Sequence, residues 1–431
     1  MKVLSLFDGM ACGMIAMQLA GVDVESYDAY EIDKYAIKTA QHNFPMIKEH
    51  GDVFGADFTQ YEGVDFLIGG SPCTYWSIAQ TKNRETVASG MGWELFSQYV
   101  RALHEAKPKY FIYENNKSMS KAIRASIDET FGFEAVLINS ALVSAQNRQR
   151  LYWVGRRNED GTYRKVNVEQ PTDRGILLRD ILADGIVWQE KSYNLTTRCY
   201  GAIPEDTLKR HRHTMVAEPV CLRYERTEEA KRCRKAYEAH EIKHGYNELN
   251  ELHPRPDGKT NTLTTVLKDN QIMESIPTMP VKEATAKGYT EIECGDCVDL
   301  SMPNSKTRRG RSMADKANCM QTSNDFYQYV GYAIEFDDDG RPIKAIGKDG
   351  KEITIYEVRD GKITIKGKQY PIKLRDGYYI IRKLTVSECK RLQTVPEWYE
   401  FPVSDSQAYK MLGNGWTCEV IAHILKSLKE A

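Results

Sequence analysis

The sequence predicts an α/β protein with a parallel, doubly wound sheet and an inserted, smaller, mainly β domain. Short apolar runs alternate with amphipathic stretches over about residues 1–155, residues 159–382 are polar and rich in turns, and the chain after residue 382 returns to helical patterns. Strands that alternate with helices favour a parallel sheet covered by helices. We therefore predict one domain over 1–158, an inserted domain over 159–382 and a C-terminal return to the first domain over 383–431.

The apolar runs of the first domain predict strands, and the amphipathic stretches predict helices. The predicted strands are Val3–Phe7, Val24–Tyr30, Val64–Ile68 and Tyr110–Tyr113, followed by a closing hairpin of Phe133–Asn139 and Leu151–Gly155. The predicted helices are Lys34–Asn43, Glu94–Ala106 and Ser118–Thr130. Ligands bind at the carboxyl ends of the strands in such a sheet, so the polar residues that end these runs are the candidates for function.

The later elements have local signatures. Asp-Gly pairs separate β-rich runs over 331–382, which predicts an antiparallel meander with hairpin turns. Thr385 and Glu388 form a capping box, which predicts a helix that ends before Pro396. A final helix is predicted to end at about Lys429.

Composition excludes several classes of protein. The 431 residues are 41% hydrophobic and 28% charged, as in a soluble globular protein, and the net charge is −1. The first residues are too polar for a signal peptide and no apolar run reaches membrane-spanning length, so we expect a cytoplasmic protein with no membrane partner. The ten cysteines have scattered spacings and are expected to be free thiols. Cys294 and Cys297 lack a second ligand pair, so no metal is predicted.

Basic residues cluster in the middle of the chain. Three clusters lie at residues 209–213, 231–235 and 306–311, and the last contains Arg308, Arg309 and Arg311. A single cluster is equally well explained as a solvated face, but three in one segment favour a domain that binds a polyanion.

A glycine loop and two acids predict a nucleoside site. The loop that contains Gly9 and Gly13 follows a strand and precedes a helix, and by itself is as consistent with a structural turn as with a cofactor turn. Glu31 ends the second strand and can accept two hydrogen bonds from a ribose diol. Asp52 ends a third segment, between Val24–Tyr30 and Val64–Ile68, and can accept one from an adenine amino group. Helix capping is the alternative for each acid. Both NAD and S-adenosylmethionine remain possible ligands at this point.

The sequence around Cys73 distinguishes between NAD and S-adenosylmethionine. Cys73 follows Gly70, Ser71 and Pro72 at the fourth strand end, where a cysteine is better placed to be a nucleophile than a buried hydrophobe. A thiolate that adds to C6 of cytosine turns the ring into an enamine whose C5 can attack a methyl sulfonium. Addition is easier when N3 is protonated, so an acid is needed at the Watson–Crick edge.

Glu114 and two arginines complete the predicted catalytic set. Glu114 ends the fifth strand, where a carboxyl group can donate to N3 of cytosine and accept from its N4 amino group. Arg148 and Arg150 share one face if the chain is extended there. One can hold the base carbonyl, while the other orients Glu114 or a phosphate. A solvated strand edge is the alternative for this pair.

Together these motifs resemble the cytosine-C5 DNA methyltransferase family, in the order in which that family has them. The matching segments are Phe7-Asp8-Gly9, Glu31, Asp52, Ser71-Pro72-Cys73, Glu114-Asn115, Gln146 with Arg148 and Arg150, 382–393 and Gly413-Asn414. The cofactor loop is similar to that of the vertebrate de novo enzymes. The chain departs from the family at Asn116, where a valine is usual, and at Trp416, where a small residue is usual.

The resemblance implies a Rossmann-like, S-adenosylmethionine-dependent methyltransferase domain, with the inserted domain serving in target recognition. It implies transfer of a methyl group to C5 of a flipped-out cytosine in duplex DNA, through a covalent bond from Cys73, with S-adenosylhomocysteine as product. We expect a monomer, with a cognate restriction endonuclease as the candidate protein partner. The cofactor residues it implies are Phe7, Asp8, Gly9, Gly13, Glu31, Ile32, Asp52, Val53, Gly70, Pro72, Leu95 and Asn414. The substrate residues are Ser71, Asn115, Gln146, Arg308, Arg309 and Arg311.

Three alternatives stay open. The same chemistry serves a tRNA cytosine-C5 methyltransferase, and only the long, basic middle domain favours DNA. A non-catalytic DNA-binding module with a relict cofactor site is disfavoured because every proposed catalytic residue is present. An NAD-dependent oxidoreductase is disfavoured by the absent GxGxxG pattern and by the Pro-Cys pair.

Overall fold

The structure is a computed structural model in which the chain forms two compact units. It describes residues 1–77, 84–183, 185–219, 352–374 and 377–430, together with strand segments between 223 and 346. The first unit contains 1–183, 189–214 and 383–431, and the second contains 184–188 and 215–382. Residues 159–183 and 189–214, which we assigned to the inserted domain, thus belong to the first unit, because they pair with the sheet or bond to its last strands. A role for the second unit in target recognition stays a prediction.

An eight-stranded sheet forms the centre of the first unit. Its strands are β1 (Lys2–Leu6), β2 (Ser26–Tyr30), β3 (Lys48–Glu49), β4 (Phe66–Gly69), β5 (Tyr110–Asn116), β6 (Val136–Asn139), β7 (Gln149–Arg157) and β8 (Tyr163–Lys165). The strand order is β3-β2-β1-β4-β5-β7-β6, with β8 on β7. The first five strands are parallel, whereas β7 runs antiparallel to β5, β6 and β8. The predicted α/β sheet and its closing hairpin are confirmed.

The first unit contains eight described helices, three of which begin at a residue whose side chain accepts a hydrogen bond from the first turn. The eight helices are α1 (Cys12–Leu19), α2 (Lys34–Asn43), α3 (Met91–Ala106), α4 (Lys121–Phe131), α5 (Pro204–Arg210), α6 (Val386–Leu392), α7 (Asp405–Asn414) and α8 (Cys418–Glu430). Asp33 caps α2, Ser120 caps α4, and the predicted capping box of Thr385 and Glu388 opens α6. No helix in the described part of the chain is both long and apolar enough to cross a membrane.

Aromatic side chains pack the sheet against α3 and α4. Tyr99 on α3 is fully buried, and its hydroxyl donates to the carbonyls of Leu67 (3.2 Å) and Ile112 (2.9 Å). The ring of Phe131, at the end of α4, packs in a tilted orientation against the rings of Tyr113 and Trp153. These contacts fix the carboxyl ends of β4 and β5, where the candidate catalytic residues lie.

The strands described in the second unit are antiparallel in each pair whose register the structure gives. They are β9 (Met215–Pro219), β10 (Arg223–Arg226), β11 (Asn250–His253), β12 (Met279–Lys282), β13 (Tyr289–Ile292), β14 (Cys297–Asp299), β15 (Ser312–Met313), β16 (Phe326–Gln328), β17 (Ala333–Phe336), β18 (Pro342–Ile346), β19 (Glu352–Arg359), β20 (Lys362–Ile365), β21 (Lys368–Pro371) and β22 (Gly377–Lys383). Strands β17 to β21 pair in sequence, and β22 pairs with β19. Strands β17 to β21 thus follow one another as an antiparallel meander, whereas β22 returns to β19. Arg382 on β22 bonds to the buried Glu218.

A substitution at Gly155 can test how tightly the sheet is packed. This glycine lies opposite Phe111 in the β5–β7 pair, and a Cβ at this position would be 2.1 Å from Cε1 of the fully buried Phe111 ring. We expect Gly155→Ala to lower the free energy of unfolding by about 1–3 kcal/mol, because the ring has no free space to move into. Urea unfolding followed by near-ultraviolet circular dichroism measures the change.

Gly55→Ala is the matched control. A Cβ at Gly55 has no atom within 4 Å, so this variant should stay within about 0.5 kcal/mol of the wild type. Equal effects of the two substitutions would show that the Phe111 ring yields without cost.

Candidate active site

The first loop of the chain is tied to the end of β2. Phe7 and Ala11 have φ values of 57° and 59°, which side chains other than glycine rarely adopt, and Gly9 between them has φ 62°. The N–H of Asp8 donates to the carbonyl of Tyr30 (3.2 Å), and the N–H of Gly9 donates to Glu31 Oε2 (2.8 Å). Glu31 Oε1 accepts from the N–H groups of Ile32 and Asp33, each at 2.8 Å. The glycine loop and the first acid thus form one local structure.

Two acids beside this loop have carboxylate oxygens without a protein partner. Ser5 and Tyr27 donate to Asp8 Oδ1 at 2.5 and 2.6 Å, but Asp8 Oδ2 and both oxygens of Glu49 accept no hydrogen bond. Burial raises the pKa of Asp8 to about 6. Burial, with the charges of Asp8 and Glu31, raises the pKa of Glu49 to about 8. Such oxygens lose hydration in the folded protein without compensation, which a cationic or hydrogen-bond-donating ligand would supply.

The remaining predicted nucleoside residues follow the ends of β2 and β3. Asp52 is exposed, and its carboxylate accepts from the N–H of Phe54 (3.0 Å), so it caps a short 3-10 turn as well as facing solvent. Ile32 is 75% exposed, whereas Val53 is buried. An apolar side chain left this exposed beside two acids is available to cover a flat ring.

Ser71 and Asn115 hold the strand ends on either side of Cys73. The hydroxyls of Ser71 and Tyr113 are 2.6 Å apart, and Asn115 Nδ2 donates to the Ser71 carbonyl (3.1 Å). Both Ser71 and Asn115 are buried, so they brace the loop rather than face open space. Cys73 is half-buried at the start of a 3-10 turn, and Asn116 Nδ2 donates to its carbonyl at 3.4 Å.

Glu114 is held at both carboxylate oxygens. Arg150 Nε is 3.0 Å from Oε1, and the indole N–H of Trp416 donates to Oε2 at 2.8 Å. The Glu114 and Arg150 side chains are only 12% and 11% exposed. Glu114 lies within β5, one residue past Tyr113, which pairs with Gly69 at the end of β4, the strand that leads to Cys73. A carboxyl group near the end of β5 and a thiol after the end of β4 are therefore carried by neighbouring strands.

Arg148 is buried and holds the backbone of other segments. Its Nη1 donates to Asn194 Oδ1 (2.9 Å) and the Leu195 carbonyl (3.1 Å), and its Nη2 donates to the carbonyls of Gly413 (3.1 Å) and Gly415 (2.7 Å). Burial, and then the nearby charge of Arg150, lower the pKa of Arg148 to about 9. Of the two predicted arginines, Arg150 is therefore the one that meets Glu114, and Arg148 is engaged elsewhere.

Gln146 is likewise engaged inside the protein. Its Nε2 donates to the Leu392 carbonyl (3.2 Å), and its Oε1 accepts from the N–H of Leu195 (2.8 Å). It is fully buried, so the geometry gives it a bracing position rather than a surface that could bind substrate.

The other predicted site residues lie at the same edge of the sheet or on α3. A Cβ at Gly13 would be 2.4 Å from Ile68 Cδ1, so this glycine permits close packing of α1 on β4. Pro72 and Asn414 are exposed, Gly70 is half-buried, and Leu95 packs against the aromatic core. Arg308, Arg309 and Arg311 lie outside the described residues, as does the basic cluster at 231–235.

A basic cleft of about 800 Å³ opens in the first unit beside the cysteine turn. Thr74, the neighbour of Cys73, and Asn414 line it together with Arg198, Arg210, Arg212, His213 and Lys410. Arg210 pairs with Asp206 and Lys410 pairs with Asp33, while Arg198 and Arg212 are exposed. Part of the first basic cluster, at 209–213, thus lines a cleft that also contains the neighbour of Cys73.

Several contacts within the candidate site could not be predicted from the sequence. Trp416 and Asn116 were noted only as departures from a pattern, although one bonds to Glu114 and the other to the Cys73 backbone. Glu49 belongs to no sequence motif, and its proximity to Asp8 is apparent only in the folded structure. Among the described residues, no group of three or more His, Cys, Asp or Glu side chains is arranged to hold a metal ion.

Comparison with known proteins gives a consistent result. The family model described as C-5 cytosine-specific DNA methylase matches residues 1–430. The orphan methyltransferase M.SPRI of Bacillus phage SPR is 24% identical over 479 residues, covering 99% of this chain and 97% of that protein. The type II methyltransferase M1.ScrFI of Lactococcus lactis subsp. cremoris is 32% identical over 168 residues, covering 36% of this chain and 41% of that protein. A putative DNA modification methyltransferase from an E. coli prophage, whose structure is solved, is 15% identical, with a TM-score of 0.44 and coverage of 100% and 99%.

The raised pKa of Asp8 predicts that the stability of the protein depends on pH. This folded-state pKa of about 6 lies above the ordinary value of 3.8, so ionisation of Asp8 disfavours the folded state and stability falls as pH rises from about 4 to 6. We expect Asp8→Asn, whose side-chain oxygen can still accept from Ser5 and Tyr27, to be more stable than the wild type at pH 8 by about 1–3 kcal/mol. The gain should disappear at pH 4.

Urea unfolding at pH 4, 6 and 8 measures this effect. Asp23→Asn, at an exposed position, is the control and should show no such pH-dependent gain. An Asp8→Asn variant that is less stable than the wild type at pH 8 would contradict the account of a poorly compensated buried charge.

Proposed function

The chain belongs to the C-5 cytosine-specific DNA methylase family, and we propose that it transfers a methyl group from S-adenosylmethionine to C5 of a flipped-out cytosine in a specific duplex DNA sequence. The observation that carries this proposal is the juxtaposition at the ends of β4 and β5. There the half-buried Cys73 follows β4, and Glu114, held by Arg150, lies near the carboxyl end of β5. The covalent step and the flipping of the base are our inferences from this site.

The acids at the first strand ends fit S-adenosylmethionine. This ligand carries an ammonium and a sulfonium group, and Asp8 and Glu49 present three buried oxygens without a protein partner. Glu31 and Asp52 are the residues that would bind the ribose and the adenine amino group, with Ile32 and Val53 beside the ring. Phe7, Gly9, Gly13, Gly70, Pro72, Leu95 and Asn414 complete the proposed pocket. When bound, S-adenosylmethionine supplies an electrophilic methyl group.

The residues of this chain prepare cytosine to accept that group. The Cys73 thiolate forms a bond to C6 of the ring. The π electrons of the C5–C6 double bond shift to C4–C5, and those of the C4–N3 double bond shift to N3, which takes a proton. Glu114 is placed to deliver that proton and to accept a hydrogen bond from the N4 amino group, while Arg150 is placed to hold the base carbonyl and Glu114 together. After C5 has taken the methyl group, the C5 proton is lost to a base, the thiolate departs and N3 returns its proton to Glu114, which restores the aromatic ring.

The basic cleft supports a nucleic acid substrate. C6 of a stacked, paired cytosine cannot reach a half-buried thiol, so the base has to leave the helix. Arg198 and Arg212 line the cleft beside Thr74, where they can contact the phosphates that flank the extruded nucleotide. We further propose that the enzyme acts as a cytoplasmic monomer, with the second unit in target recognition and a cognate restriction endonuclease as the candidate partner.

Cytosine in RNA is the second candidate substrate, because the site chemistry is the same. Methylation assays on duplex DNA and on tRNA separate the two, and bisulfite sequencing of DNA from cells that express the chain reports the modified base with its context. Activity on tRNA alone would overturn the DNA proposal.

The first test of the mechanism is removal of the thiol. We expect Cys73→Ala to lose methyl transfer entirely, because no bond to C6 can form, while binding of duplex DNA and of S-adenosylhomocysteine stays within about threefold of the wild type, since an alanine removes only the sulfur. Transfer of a radiolabelled methyl group and calorimetric titration measure the two properties.

Cys199→Ala is the matched control, because it removes another half-buried thiol. It should keep methyl transfer. Substantial methylation by Cys73→Ala would refute the covalent mechanism, and binding of NADH in place of S-adenosylhomocysteine would refute the proposed cofactor.

The second test concerns the basic cleft. We expect Arg198→Ala combined with Arg212→Ala to weaken duplex binding and to reduce the slope of log K against log salt by about two, because each lost phosphate contact removes about one released counterion. Fluorescence anisotropy between 50 and 200 mM salt is the measurement.

Arg164→Ala combined with Lys165→Ala removes the same charge from β8, at the other end of β7. This control should leave the slope unchanged. Equal slopes for the cleft variant and the wild type would place Arg198 and Arg212 away from DNA.

A further inference from the structure

Trp416 makes a contact with Glu114 that the proposed reaction does not require. Its indole N–H donates to Oε2 at 2.8 Å, and it reaches this carboxylate from the C-terminal segment, 302 residues away in sequence. The indole N–H is a donor only, so this hydrogen bond has one possible direction. Hydrogen bonds to charged groups are stronger than neutral ones, so the contact is energetically significant.

The backbone that carries Trp416 is fixed by buried side chains. Arg148 Nη2 donates to the carbonyls of Gly413 and Gly415, and Gln393 Nε2 donates to that of Gly415 at 3.1 Å. The next residue, Thr417, is buried and bonds to Gln393 Oε1 at 2.9 Å. Because the chain is held on both sides of Trp416, the indole is presented to Glu114 by a rigid support.

Glu114 is constrained from two other directions. Arg150 Nε is 3.0 Å from Oε1, and a Cβ added at Gly70 would be only 3.0 Å from Oε2. The carboxyl group therefore has one donor at each oxygen and the backbone of Gly70 beside it. Without the Trp416 donor at Oε2, only the contact between Arg150 and Oε1 would resist rotation of the carboxyl plane.

We propose that Trp416 is a positioning residue for base selection, which sets the orientation of Glu114 so that its carboxyl group meets N3 and the N4 amino group of cytosine together. The inference rests on the proposed function, since it gives Glu114 that role. An acceptor at N4 favours cytosine over a base without the amino group, so the indole hydrogen bond contributes to selectivity as well as to rate.

The test compares two target bases in two duplexes that are otherwise identical, at the site located by bisulfite sequencing. One duplex carries cytosine, and the other carries 2-pyrimidinone, which lacks the exocyclic amino group. The rate of covalent adduct formation at each base gives a selectivity ratio. We expect Trp416→Phe, which keeps a ring but loses the donor, to lower the ratio about tenfold. Trp416→His, which retains a ring N–H, should recover part of the lost ratio.

Trp398→Phe is the control, because it removes an indole that is 52% exposed and packs on Phe44. It should keep the wild-type ratio. A Trp416→Phe variant that slows both bases equally would overturn the proposal, since a purely structural role scales both rates together. If Trp416→Phe does not fold, Trp416→Leu also removes the donor, and an unchanged ratio in folded Trp416→Leu would overturn the proposal.

A wild-type protein that forms no adduct with cytosine in DNA or in tRNA would refute the proposed function itself. That result differs from an active wild type whose ratio does not respond at position 416, so the two failures are distinguishable.

Discussion

The buried guanidinium of Arg148 is the constraint on which the rest of the site depends. A charge removed from water is tolerated only where polar groups surround it, and here the acceptors come from Asn194, Leu195, Gly413 and Gly415. These acceptors belong to segments far apart in the sequence, so satisfying one cation brings the loop after the sheet and the C-terminal turn onto β7. The return of residues 383–431 to the first unit is therefore tied to an electrostatic requirement as well as to apolar packing.

The opposite condition holds at the first strand ends. Asp8 and Glu49 are acids with oxygens that no protein group satisfies, and burial raises the pKa of each. A fold selected for stability alone would give these oxygens donors or replace them with neutral groups. Their retention beside Gly9 and Glu31 is explained if a positively charged ligand completes them, at a cost in stability of the ligand-free protein.

The sequence predicts most of the first unit, because strand and helix periodicity there is regular and caps such as Ser120 and Thr385 lie next to the helices they open. Cys73 and Glu114 were also predictable, since a residue that ends a parallel strand has only one edge of the sheet to occupy. The different surroundings of Arg148 and Arg150 were not predictable, because alternation along a strand gives the face and not the depth of burial. The first unit also extends past residue 158, since polar segments with little periodicity can still be held by hydrogen bonds to buried side chains.

The contact between Trp416 and Glu114 shows why a departure from a pattern has to be interpreted in three dimensions. In sequence, an indole in place of a small residue indicates only a change of volume. In the structure, Gly415 leaves room for the turn, since a Cβ there would be 3.0 Å from Cys12 Sγ, and Arg148 and Gln393 fix the carbonyls on which the turn rests. The indole N–H is consequently aimed by groups that do not touch the base themselves. Selectivity at Glu114 then depends on the same buried cation that joins the two ends of the chain, so the stability of the unit and the geometry of the site have one physical origin.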